Sequence, residues 1–122
     1  MSWINEEIVD ITKHKAIVYL ITNNITNEKY IGKKNLFSKT SKKVKNRVNK
    51  KWTIKETKWR DYQSSSDDVK KWGNVTKEIL RACEFVGEAT YIETKLLFEY
   101  DVLNIDNSFV NKNISGKFFK SY

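Results

Sequence analysis

One carboxylate stands where the sequence pattern asks for an apolar residue. Ala89–Leu103 has the spacing of a helix: at about 100° per residue, Ala89, Ile92, Leu96, Leu97, Tyr100 and Leu103 crowd into one arc, with Glu93 near its middle. A carboxylate facing a core costs on the order of several kcal/mol unless something pairs with it. Two partners fit, a core Arg or Lys, or a metal ion at the edge of the core. A carboxylate oxygen suits a hard cation such as Mg²⁺, which keeps most of its waters and acts as a Lewis acid. Thiolate–imidazole metal sets are excluded, because His14 and Cys83 are the only residues of their types. Cys83 lies in an apolar strand-like run and reads as a buried, inert thiol.

Charge supplies the second signal. The 122 residues carry a net +8, but Lys33–Arg60 holds twelve Lys/Arg and one carboxylate, Glu56, for +11, while the remainder sums to −3. Like charges at that density repel one another, and a mildly acidic body with one intensely basic segment is the electrostatic footprint of a polyanion partner. The alternative is a solvated charged loop. Lys39, Lys42, Lys43, Lys45, Arg47, Lys50, Lys51 and Arg60 are the candidate nucleic-acid contacts. Trp52 and Trp59 interrupt the segment and suit packing onto the body or stacking on bases.

The elements that must position these groups are short. Ala16–Thr22 and Lys29–Gly32 read as the strands of a β-hairpin joined by an Asn/Thr-rich turn, the first strand apolar on both faces and therefore central. The basic segment reads as part helix, part extended arm. Ser64, Ser65 and Ser66 before Asp67 and Asp68 form a helix start, and Gly73 a stop. Thr76–Phe85 reads as a third strand, and Gly87 opens the turn to the Glu93 helix. The expected fold is a single α/β (α+β) domain over 1–122, with a small three-stranded antiparallel sheet flanked by helices in the order β-β-α-α-β-α. Its core runs from about 16 to 114, with a basic insert at 33–60 and a short tail at 115–122. No apolar run is long enough to span a membrane and no signal-peptide pattern is present, so a cytoplasmic protein is expected.

Ile17-Val18-Tyr19 and Tyr30-Ile31-Gly32 on paired strands, then a basic region, a strand and a helix bearing Glu93, resemble the GIY-YIG nuclease superfamily. The run Lys29–Lys34, the phrase Trp59-Arg60-Asp61-Tyr62-Gln63-Ser64-Ser65-Ser66, and Asp101-Val102-Leu103 with Asn111 following resemble its phage-associated branch, related to homing endonucleases. The resemblance spans about Ala16–Ile114. It implies a metal-dependent endonuclease that cleaves double-stranded DNA to 3′-hydroxyl and 5′-phosphate ends. It further implies one Mg²⁺ or Mn²⁺ ion on Glu93, Tyr19 beside the attacking water as base or positioner, Tyr30 on the phosphate or leaving group, and Asn111 as a brace. Ser65 becomes a candidate phosphate contact, and a phage-encoded chain would act in the host cytoplasm.

The departures are specific. The first triplet lacks the family's Gly, the signature's Gly is Ser64, and the Arg about ten residues past Y-I-G is absent from Ser38–Lys43. A cation must come from elsewhere. Strand alternation from Tyr30 through Gly32 selects Lys34; a bend at Gly32 would bring Lys33, and a folded-back basic segment Arg47. Two alternatives stay open: a non-catalytic nucleic-acid-binding module on a relic fold, and a basic protein-interaction module. No room remains for a separate DNA-recognition domain, so specificity falls to the basic segment, a homodimer or a partner chain.

Overall fold

The computed structural model describes residues 3–43, 50–104 and 107–120; the side chains of 40–43 and 50–53 lie outside that description. After a 3₁₀ turn at Glu6–Ile8, the elements in chain order are β1 (Ala16–Asn23), β2 (Lys29–Asn35), β3 (Phe37–Lys43), β4 (Lys50–Glu56), α1 (Asp67–Lys70), β5 (Val75–Cys83), α2 (Val86–Glu99), β6 (Asn113–Ile114) and β7 (Phe118–Phe119). The expected α+β class is what forms: an antiparallel three-stranded sheet in the order β2-β1-β5, with helices against it.

β1 is central because it is apolar on both faces. Ile17, Tyr19 and Ile21 enter one core with Trp3, Leu36, Trp59, Val69, Val75 and Ile79. Ala16 and Val18 enter a second with Ile31, Cys83, Ala89, Leu97, Val102 and Ile114, which α2 closes from the other side. Each fully buried aliphatic side chain contributes about 1.5–3 kcal/mol. The outer strands are covered. The Ile4 backbone bonds β5 through the Lys77 carbonyl and the Ile79 amide, and Ser108 and Val110 bond Lys29 of β2. Both sheet edges are thereby blunted against pairing with other chains.

The basic segment differs from expectation. In place of part helix and part extended arm, β3 and β4 form a two-stranded antiparallel ribbon separate from the main sheet. Its Phe, Trp, Ile and Thr residues favour extended backbone, and lysine is compatible with it when the side chain reaches solvent. Arg47 and Lys45 lie outside the described residues. Lys42, Lys43, Lys50 and Lys51 are placed on the ribbon by backbone alone. The Glu93 helix also starts earlier than its pattern suggests, because Phe85 is extended at the N-cap and Gly87 joins the first turn. It ends at Glu99, where Asp101 takes a left-handed conformation and turns the chain, so Leu103 lies beyond it.

Candidate active site

The site is built on facing residues of β1 and β2. Tyr19 pairs in register with Gly32, and Tyr30 with Ile21. Alternation along β2 sends Tyr30, Gly32 and Lys34 to the face that carries Tyr19, and Ile31 and Lys33 to the face under α2. The Tyr19 phenol lies directly over Gly32: a Cβ there would meet the hydroxyl oxygen at 2.5 Å and Cζ at 2.6 Å. Glycine at this point is therefore a packing requirement of Tyr19. Three rings enclose the phenol, Trp3 at 5.4 Å, Tyr30 at 6.4 Å and Tyr62 edge-on at 6.0 Å between centroids. On the other flank, Val18 pairs with Arg81 and Tyr19 with Ile79, so Leu80 is bulged out of the ladder beside Tyr19. A bulge of this kind re-aims the facing side chain.

Burial controls the electrostatics. Tyr19 is completely buried, and among the described residues its hydroxyl makes no well-formed hydrogen bond, although the Ser64 and Tyr62 hydroxyls lie near enough to influence it. Desolvation pushes its pKa far above the ordinary phenol value, and the neighbouring Tyr62 and Tyr30 add to the shift. The phenolate that a general base needs is thus disfavoured in this conformation. Tyr30 is less enclosed, and its hydroxyl lies 3.4 Å from Ser65 Oγ. Desolvation raises its pKa as well, with the Glu93 charge a further contributor. Lys34 sits on the Tyr19 face as alternation requires, its ammonium 4.4 Å above the Tyr62 ring. Burial raises the Glu93 pKa against a smaller opposing pull from Lys33.

Glu93 and Lys33 therefore belong to the α2 side of β2, and Tyr19, Tyr30 and Lys34 to the other; Tyr30 is the tyrosine that feels Glu93. The half-buried Glu93 carboxylate makes no hydrogen bond or ion pair among the described residues. Among the described residues no core Arg or Lys is bonded to it, and the Lys33 charge acts on it only through space. No group of three or more His, Cys, Asp or Glu that would suit a metal occurs among the described residues. The donor chemistry fits only an ion content with one protein carboxylate, completing its shell with water and substrate oxygens, which is the habit of Mg²⁺.

Asn111 is buried and brackets β2. Its Oδ1 accepts from the Ile31 amide at 3.1 Å and its Nδ2 donates to the Ile31 carbonyl at 2.8 Å. It replaces a neighbouring strand for the residue next to Tyr30. Ser65 is exposed at the rim, while Ser64 is buried and its Oγ accepts from the Ser66 amide at 3.0 Å. Beside Tyr30 opens a cleft of about 360 Å³ lined by Ser66, Asp67, Asp68, Val110, Lys112 and Asn113. A larger one of about 540 Å³ shares Asp68, Val110 and Lys112 with it and touches neither Tyr19 nor Glu93.

Of the two roles the sequence offers it, Trp59 takes packing onto the body. It is 1% exposed, so it cannot stack on a base. Its indole donates to Glu56 at 3.0 Å and its carbonyl accepts from the Trp3 indole at 2.9 Å. Arg60 lies 4.4 Å over the Trp59 ring and pairs with Glu56, and half of its side chain remains exposed. Lys39 is exposed on β3. Two contributors went unread in the sequence. Trp3 roofs Tyr19, and Lys77 stands 4.4 Å from the Trp3 ring while donating to the Arg60 carbonyl at 3.3 Å. Only the alternation of Val75, Lys77 and Ile79 on one face of β5 signalled an inward lysine.

No curated protein and no solved structure matches the chain. One family model does, described as "Putative endonuclease segE, GIY-YIG domain", over residues 3–114. That match begins at the tryptophan that roofs Tyr19 and ends in β6, beyond the Asn111 bracket, so it takes in every element that builds the tyrosine face. The chain belongs to the segE GIY-YIG domain family.

Proposed function

We propose that the protein is a metal-dependent DNA endonuclease that leaves 3′-hydroxyl and 5′-phosphate ends. The observation that supports this reading is the half-buried Glu93 carboxylate, which makes no hydrogen bond or ion pair among the described residues and lies within electrostatic reach of Tyr30 and Lys33. Water attacks phosphorus and gives its proton to solvent, the bond from phosphorus to the 3′ oxygen breaks, and the departing 3′ oxygen takes up a proton from solvent water. Glu93 would hold one Mg²⁺ or Mn²⁺ ion, which when bound supplies Lewis-acid stabilisation of the phosphate charge. Lys34 brings a point charge to the tyrosine face in place of the family's Arg, with Lys33 and Arg47 as reserves; a lysine positions less strictly than a bidentate guanidinium. Tyr30 and Ser65 offer hydroxyls to phosphate oxygens. Tyr19 serves as a protonated positioner of the water, since burial raises its pKa. The Tyr62 ring, edge-on to Tyr19, must shift to admit that water. Asn111 keeps β2 in place. The partner is double-stranded DNA, with a homodimer or partner chain as a further source of specificity, and a phage-encoded enzyme working in the host cytoplasm.

The sealed Tyr19 hydroxyl favours one alternative, a relic fold that binds nucleic acid without cutting it. Nicking of supercoiled plasmid with Mg²⁺ or Mn²⁺ decides between them. The nuclease reading expects nicks from the wild type, none from Glu93→Gln, and unchanged DNA affinity in that variant. Absence of nicking under both ions, or full nicking by Glu93→Gln, rejects it.

A further inference from the structure

We propose that the β3–β4 ribbon lies in the major groove of B-form duplex DNA and grips it there, apart from the cleavage chemistry. This deepens the reading of DNA as partner and rests on it. Among the described residues the ribbon pairs with no other strand. Its register sets Lys42 opposite Lys51 and Lys43 opposite Lys50. Like charges directly opposite on a two-stranded ribbon are destabilising, and the natural relief is an anionic surface laid against them.

The ribbon has two different faces. Alternation puts Ser38 with Lys55, Thr40 with Thr53 and Lys42 with Lys51 on one of them, with no carboxylate and no large apolar residue. The other carries Phe37 with Glu56, Lys39 with Ile54, Ser41 with Trp52 and Lys43 with Lys50. At the root, Phe37 packs against the core, while Ser38 and Lys55, on the opposite face by alternation, are exposed. By register that second face combines lysines, which suit phosphates, with hydroxyl residues, which suit base edges.

Dimensions select the groove. Strands of a ribbon are about 4.8 Å apart and rise about 3.3 Å per residue, so seven-residue strands reach roughly 23 Å. A B-DNA major groove is about 12 Å wide and admits a two-stranded ribbon, whereas the minor groove, about 6 Å wide, does not. The A-form major groove of duplex RNA is deep and too narrow to enter. The groove-bound ribbon therefore distinguishes two duplexes with the same phosphate charge.

The test measures binding by fluorescence anisotropy of the wild-type chain in EDTA, where no cleavage intervenes. Three 24-base-pair probes of one sequence are compared: DNA, RNA, and DNA whose cytosines carry glucosylated 5-hydroxymethyl groups that fill the major groove. The expected result is at least a tenfold preference for plain DNA over both others. Replacing Lys42, Lys51 and Lys55 by Gln should remove that preference and weaken DNA binding. Equal wild-type affinity for all three duplexes overturns the proposal and leaves attraction to phosphates alone. A preference that survives the substitutions in a variant with native circular dichroism overturns it too. A chain that shows the preference but nicks no plasmid refutes the nuclease and leaves the ribbon proposal standing; nicking without the preference does the reverse.

Discussion

Tyr19 carries a buried hydroxyl with no well-formed hydrogen bond among the described residues, an arrangement that costs stability on its own. Removing the oxygen relieves it: Tyr19→Phe is expected to raise unfolding free energy by about 1 kcal/mol, the lower range for an unsatisfied buried polar group. A denaturant melt checks this, and a loss of cleavage in the same variant would identify the hydroxyl as retained for function. Gly32 is the converse case. Gly32→Ala pushes a methyl into a ring held on three sides and is expected to cost about 1–3 kcal/mol, the range for overpacking. Glu93 ties stability to pH. Burial raises its folded pKa, so its protonated form is the one the fold favours; that contribution is present in acid and is lost as pH rises through the folded value. Glu93→Gln removes the charge. Its melting temperature should equal the wild type's below about pH 4.5, the ordinary carboxylate value, and exceed it at pH 7. Equal melting temperatures across that range would mean that the carboxylate is solvated.

At the level of strands and loops, β2 is the piece on which the site depends. It carries Tyr30, Gly32, Lys33 and Lys34, and it is the outer strand of the sheet. The Asn111 side chain supplies part of the missing neighbour by bonding both backbone groups of Ile31. Asn111→Ala leaves a buried amide and carbonyl unpaired and is expected to cost about 1–3 kcal/mol. Hydrogen exchange locates the damage: the Ile31 amide should lose protection more than the amides of β5. Uniform loss across the sheet would show that Asn111 supports the whole fold instead of this strand. On the far side of β1, the bulge at Leu80 lets Tyr19 and Ile79 face each other within the same core.

Across the molecule, charge is segregated: +11 within Lys33–Arg60 against −3 elsewhere. Six to ten phosphate contacts would make duplex affinity fall by roughly 10³–10⁵ between 50 and 200 mM salt. Gln at Lys42, Lys43, Lys45 and Arg47 together should flatten that slope in a salt titration, whatever groove the ribbon occupies. An unchanged slope would move the contact to another surface. The described residues include no helix long and apolar enough to cross a membrane.

The sequence alone determined the features that depend on local pattern. The two-faced apolar run of β1 required a central strand, and the period of 3.6 with Glu93 on the apolar arc required a helix presenting a carboxylate to the sheet. Alternation through Gly32 assigned Lys34, and not Lys33, to the tyrosine face, because a strand has a fixed period of two. For the basic segment the local pattern does not reveal the ribbon, because lysine repeats fit several backbones, and strand pairing is a contact between distant residues that no local window contains. Trp3 and Tyr19 are neighbours only after Ile4 joins the edge of β5. The burial of Trp59 likewise depends on the N-terminal segment folding across it, and on a hydrogen bond from an indole fifty-six residues away. The burial of Tyr19 is a tertiary property too. Sequence places a phenol on a strand, but the rise in its pKa follows from how completely other segments exclude water, and here Trp3, Tyr30 and Tyr62 surround it.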